Sequence, residues 1–247
     1  MIIGLLIFLL FGVTHVTYGI DVFNEFLCIF FFTFNLYYIF DYILDKYSIS
    51  FKNIEPKHKK MYVIKNYIKS LYLALLCFTL PYYITGQYDI LFIKRCCVYY
   101  VINDLIGLIL VKKLPTTTII HHSTTSICSL FIFIKKNDNL DILTLIVLYA
   151  LFSSITFLVN FYLGYRVHSL NNYNKYYVSL FANYIYIISC TINWIVQLYL
   201  FYSIIWKIPF YHTILYLCFL YSVVKDDLIL MKWLFNDQNQ CKNNLIN

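Results

Sequence analysis

The sequence predicts an all-α polytopic membrane helix bundle with seven transmembrane helices and a candidate eighth at the N-terminus. Three observations carry that prediction. Of 247 residues, 61% are apolar and 13% charged, against roughly 45–50% and about 25% in soluble domains, and the mean hydropathy is +0.69. The apolar residues gather into runs of about twenty, the length that crosses a bilayer as a helix, without the strict alternation of a membrane barrel strand. Six glycines and four prolines exclude a disordered or collagen-like chain, and so long and apolar a chain does not suit a small secreted disulfide scaffold.

Residues 2–20 form the first apolar segment, unbroken to Val13 and interrupted by His15. No Lys or Arg precedes Lys46, so the basic start of a signal peptide is missing, and this segment stands as the candidate eighth span. The next, 22–44, follows after only Gly19 to Asp21. Asp45 to Lys65 is the one hydrophilic stretch of any size, with Lys46, Lys52, Lys57, Lys59, Lys60 and Lys65, and the positive-inside rule assigns it to the cytoplasm. Six further apolar segments follow, at 66–86, 90–111, 117–134, 141–164, 176–206 and 208–235. Alternating through them puts Lys112, Lys113, Arg166, Lys175, Lys242 and the C-terminus on the cytoplasmic side, with Lys135, Lys136 and Lys207 opposite. The expected division is N-terminal transmembrane segments at 1–44, a basic cytoplasmic loop at 45–60, a six-helix domain at 61–236 and a cytoplasmic tail at 237–247.

Juxtamembrane lysines are what topology demands, so the net charge of +7 calls for no nucleic acid, and membrane lipids are the expected partners. Seven of the eight cysteines lie inside apolar segments without C-x-x-C or Cys/His spacing, which reads them as small hydrophobes. A transporter would want Gly/Pro breaks at matching depths in two halves; this sequence has too few of either.

An ionisable side chain inside hydrocarbon costs about 2.5–3.5 kcal/mol on insertion scales and needs a partner or a job. Within the predicted spans these include Asp104, His121, His122, Asp226 and Asp227. Asp104 lies seven residues before Val111, about 10 Å along a helix, and His121 six residues beyond Pro115, about 9 Å. Joined by the short turn Lys112-Lys113-Leu114-Pro115, the two helices bring carboxylate and imidazole to one level. Adjacent histidines diverge by about 100°, so one is expected to pair with Asp104 while the other faces a chamber, with Thr125 one turn on. Ser70, Asn160, Asn183, Asp226 and Asp227 fall at similar depth, which predicts a polar chamber in the cytoplasmic half of the bundle. No third metal ligand has a recognisable spacing beside the histidines, so no metal is expected.

The stretch Tyr99-Tyr100-Val101-Ile102-Asn103-Asp104-Leu105, followed by Thr118-Ile119-Ile120-His121-His122-Ser123-Thr124-Thr125, resembles the TLC-domain family, whose hallmark is an Asp on one span and a His-His pair on the next. Leu151-Phe152-Ser153-Ser154 with Phe157-Leu158-Val159-Asn160, and Lys65-Asn66-Tyr67-Ile68-Lys69-Ser70, extend the resemblance over about residues 61–236. The likeness is to the smaller members and more distantly to ceramide synthases, whose later His-Asp and Asp are replaced here by Tyr149-Ala150 and Ser153-Ser154. It implies an endoplasmic-reticulum membrane protein of lipid metabolism. Asp104, His121 and His122 become candidate catalytic residues, with Ser70, Asn103, Thr125, Asn160, Asn183, Asp226 and Asp227 as candidate substrate-binding residues. The implied chemistry is acyl transfer from acyl-CoA, a candidate co-substrate, to a lipid amine or hydroxyl, with no resident cofactor. Two other readings stay open: a non-enzymatic protein that binds or regulates lipid, and an Asp/His pair that serves packing alone.

Overall fold

The computed structural model describes residues 22–86, 89–134 and 142–246; residues 2–20 lie outside them. The described chain is all-helical, with no strand. Eight longer helices form the scaffold: α1 Val22–Tyr47, α2 His58–Cys77, α3 Ile90–Leu110, α4 Thr116–Ile134, α5 Ile142–Ser153, α6 Phe157–His168, α7 Asn172–Ile204 and α8 Phe210–Ile246. Two of the starts follow directly from local chemistry. Asp89 caps α3 by accepting the Phe92 amide at 2.7 Å, and Asn171 caps α7 through the Asn174 amide at 3.1 Å; both satisfy backbone donors that a helix leaves free.

Between α5 and α6 the chain tightens into one 3₁₀ turn, Ser154–Thr156, within a single rod, Ile142–His168, long and apolar enough to cross a membrane. Asn24–Tyr47 and Asn172–Lys207 meet the same criterion, making three such helices among the described residues. Three of the remaining long helices carry more charge: Lys59, Lys60, Lys65 and Lys69 in α2, Lys94, Arg95 and Asp104 in α3, and Lys225, Asp226, Asp227 and Lys232 in α8.

Side-chain pairs give the topology. Lys65 packs its stem on Gly107 while Lys69, one turn later, meets the Tyr100 carbonyl, so α2 and α3 are antiparallel. α3 and α4 form a second antiparallel hairpin, closed by Asp104 and His122. Glu25–Arg95 and Tyr37–Asn103 rise together in number, placing α1 parallel to α3. Asn193–Tyr149 and Ser189–Phe152 run α7 against α5, while Trp194–Asp227 and Tyr216–Gln197 run α8 against α7. Apolar cores sit between these elements, one around Tyr37, Ile64, Ile68 and Ile102 and another around Leu145, Phe201, Tyr216 and Phe219.

The burial pattern of α7 inverts that of a soluble helix. Its buried stripe includes Ser179, Asn183, Ser189, Asn193 and Gln197, whereas Phe181, Tyr184, Ile188, Ile195 and Leu198 are exposed. Polar groups inward and large apolar groups outward is the arrangement that suits hydrocarbon as solvent.

Two expected boundaries shift. The hydrophilic stretch ending at Lys65 is largely structured: Ile49–Lys52 makes a helical turn that buries Phe51 completely, and α2 begins at His58. The stretch from residue 237 continues α8, because it holds no Pro or Gly and because Asp237, Gln238 and Cys241 have partners on α6 and α7.

α2 and α6 approach closely at a glycine. A Cβ on Gly164 would stand 3.1 Å from the Val63 carbonyl oxygen and 3.1 Å from the Tyr67 ring, and Tyr67 Oη hydrogen-bonds with His168 Nδ1 at 3.1 Å. Small residues permit such approach between membrane helices. Gly164→Ala is expected to push the helices apart and cost about 1–3 kcal/mol, as overpacking does; unfolding of the detergent-solubilised variant measures it, and unchanged stability would show that the backbones are not in firm contact.

Candidate functional site

The site grows from two helical spacings. Lys65 and Lys69 on α2, and Tyr100 and Asp104 on α3, are each four residues apart and so share one helix face. Facing across the antiparallel pair, they make a compact polar knot. Lys69 Nζ donates to Asp104 Oδ2 at 2.8 Å and to the Tyr100 carbonyl at 2.7 Å, and lies 3.9 Å from the centre of the Tyr100 ring. Asp104 has no solvent exposure. A buried carboxylate is tolerable only with such compensation.

α4 brings the two histidines. His122 Nδ1 is 3.2 Å from Asp104 Oδ2, close to the carboxylate but off the line of a hydrogen bond. Its other nitrogen, Nε2, is 3.0 Å from Lys65 Nζ. An ammonium can only donate, so Nε2 carries the lone pair and the ring proton is assigned to Nδ1, beside the carboxylate. The His121 ring lies 5.5 Å from that of His122 at 75° and turns toward α8, with Nδ1 3.7 Å from Asp226 Oδ2. That distance exceeds a hydrogen bond; no protein hydrogen bond to either nitrogen of His121 is found among the described residues.

A second carboxylate is held differently. Asp227 accepts from the Tyr149 hydroxyl, from Tyr186 Oη at 2.8 Å and from Trp194 Nε1 at 3.2 Å. Two phenols and an indole thus surround it without a cation, tying α5, α7 and α8 together.

These groups line a chamber of about 300 Å³ that also takes in Asn160, Arg166 and Asn193. Lys65, Lys69, Arg166, Asp104, Asp226 and Asp227 are its charged residues. Two buried acceptors of its lining, Asp104 Oδ1 and Asn193 Oδ1, have no protein partner. Above it a constriction of about 20 Å³ is lined by Tyr100, His121, Thr125, Ile146, Tyr149 and Phe219 among others. Beyond that lies an apolar cavity of about 730 Å³, bordered by Ile127, Ile142, Ile146, Leu215 and Phe219. Three helices step through the series in register. α4 contributes His122, then Thr125, then Cys128; α5 contributes Ser153, Tyr149 and Ile142; α8 contributes Asp226, Val223 and Leu215. His121 borders both chamber and constriction.

Of the residues singled out in the sequence, Asp104, His121, His122, Asn160, Asp226 and Asp227 come together in the chamber. Four do not line it. Thr125 borders the constriction, and its hydroxyl donates to the His121 and His122 carbonyls, both at 3.1 Å. Asn103 accepts from Tyr37 Oη at 2.8 Å and donates to the Lys65 carbonyl at 3.2 Å, a tie among three helices. Asn183 donates to Gln238 Oε1 at 2.7 Å, fastening α7 to α8. Ser70 is buried outside the chamber lining. Thr125 lies a turn beyond the chamber along α4, and the other three sit on another azimuth of their helices.

Sequence reasoning missed Lys65, Lys69, Tyr149, Tyr186 and Trp194. A signal existed for Lys69, a lone cation four positions into the segment 66–86. Among the described residues no group of three or more His, Cys, Asp or Glu is arranged to hold a metal ion. All eight cysteines are free.

Compared with family models, curated proteins and solved structures, the chain matches none.

Proposed function

We propose that this is a seven-span membrane protein of TLC-domain type, resident in the endoplasmic reticulum with its C-terminus cytoplasmic, that transfers an acyl chain from acyl-CoA to a lipid amine or hydroxyl. One observation carries the reading: a polar, charged chamber and an apolar cavity flank a small constriction that shares His121 with the chamber and Ile146 and Phe219 with the cavity. A molecule with a reactive head and a hydrocarbon tail has its two halves matched by the two cavities, with its junction at an imidazole. α2, α3 and α8 turn Lys65, Lys69, Asp104, Asp226 and Asp227 into this chamber, where a charge on a membrane-crossing helix is kept from lipid.

In the step proposed, the acceptor's hydroxyl or amine attacks the thioester carbonyl. His121 takes the proton as the new C–O or C–N bond forms, the C–S bond breaks, and the proton passes to the departing CoA thiolate. A positioned base of this kind typically contributes about 10²–10⁴-fold. Asp226, facing His121, orients the ring and stabilises the imidazolium. Asp104, with Lys69, anchors the neighbouring histidine.

A second reading is favoured by the engagement of Asp104 Oδ2 and His122 Nε2 by lysines, which suits a rigid non-enzymatic lipid holder. Incubating the purified full-length protein with labelled acyl-CoA and a microsomal lipid extract separates the two. A new labelled lipid, formed in proportion to protein, is the expected result. No product, with a photoreactive fatty-acid probe still crosslinking to α4, α5 or α8, would overturn acyl transfer and leave lipid binding.

A further inference from the structure

Two imidazoles lie side by side in one chamber, and the acid on α3 is not what distinguishes them. What does is the lysine on α2. His122 has a hydrogen-bond donor against Nε2 and a carboxylate against Nδ1, so neither nitrogen offers a lone pair to a third molecule. Lys65 reaches that position along a path built for it. Its stem lies flat on α3 where Gly107 stands, and a Cβ on that glycine would come within 3.1 Å of both Lys65 Cγ and Cε. Gly107 is three residues beyond Asp104 and so lies on nearly the same face of α3. Lys65 itself is 4% exposed, while its backbone carbonyl is held by Asn103 Nδ2 at 3.2 Å. Backbone anchor, glycine groove and terminal hydrogen bond all fix one conformation of a side chain that otherwise has many.

We propose that Lys65 is a positioning residue that occupies His122 Nε2 and removes this imidazole from proton transfer, leaving His121 as the chamber's reactive histidine. His122 then serves as a neutral link between the carboxylate of Asp104 and the ammonium of Lys65. The inference deepens the acyl-transfer reading, on which it rests for what His121 does to a substrate. The distinction between the two rings stands on geometry alone and is tested without turnover.

Diethyl pyrocarbonate acylates an imidazole nitrogen that has a free lone pair, and fragment-ion mass spectrometry tells adjacent histidines apart. In the full-length protein in phosphatidylcholine nanodiscs, His121 is expected to react at least tenfold faster than His122. Lys65→Met should raise the rate at His122 to within about threefold of His121, and Lys65→Arg, which keeps a donor on a long stem, should preserve most of the protection. Gly107→Ala, which presses on the Lys65 stem while leaving every polar group in place, should release His122 in part. Equal rates in the unaltered protein would overturn the assignment, whether or not any variant folds. So would a His122 that stays protected in a folded Lys65→Met protein. Failure of the acyl-transfer reading would instead leave this pattern intact and show only as absent product.

Discussion

Asp104→Leu should destabilise the protein by about 3–5 kcal/mol, the cost of leaving a buried charge without its partner. The carboxylate is fully buried and accepts from a Lys69 side chain that is 6% exposed, so the substitution strands an ammonium that has only the Tyr100 carbonyl and ring to meet it. The informative comparison is the double variant. Lys69→Met alone strands the acid, whereas Asp104→Leu with Lys69→Met removes both charges, and replacing a buried ion pair by apolar groups of similar volume is often neutral or stabilising. Chemical unfolding in detergent should therefore place the double variant well short of the sum of the two single losses, a coupling of at least about 3 kcal/mol, at the top of the range for groups in one network. Additive effects would mean that Lys69 and Asp104 do not depend on each other.

His121→Ala has the opposite profile. Turnover of labelled acyl-CoA into lipid should fall about 10²–10⁴-fold, the contribution of one positioned general base. The unfolding midpoint should barely move, because no hydrogen bond to the His121 ring is lost and its side chain borders open volume. Asp226→Asn should produce a smaller loss of turnover, since it touches the reaction only through His121, 3.7 Å away. Undiminished turnover in His121→Ala would remove the acyl-transfer mechanism as drawn.

The contrast between these residues follows what the sequence could disclose. Helix positions were legible because long apolar runs leave few alternatives: the segment 90–111 corresponds to Ile90–Leu110, and 117–134 to Thr116–Ile134. Depth was legible too. Counting residues from a short turn put Asp104 and the histidines at one level, and His122 lies 3.2 Å from the acid. Azimuth was not, since counting along one helix says nothing about where its neighbours stand. Asn103 and Asp104 are adjacent, yet one ties helices together and the other enters the chamber.

Lysines were misplaced for a different reason. Topology rules treat lysine as a loop residue, and its flexible stem normally carries the charge outward to water. Lys65 does the reverse because Gly107 on a different helix leaves room for the stem, a fact of packing that no run of neighbouring residues records. Tyr149 and Tyr186 were lost among 26 tyrosines, and only their convergence on Asp227 sets them apart.

The charged lining of the chamber has an electrical consequence. Lys65, Lys69 and Arg166 face Asp104, Asp226 and Asp227, so with both imidazoles neutral the positive and negative side chains are equal in number. A voltage across the bilayer acts on net charge, at about 2.3 kcal/mol per elementary charge per 100 mV, and these six cancel to first order. Translated as a unit, they couple no work to the field, and only a net charge that a ligand brings or a proton leaves behind would sense a transmembrane voltage.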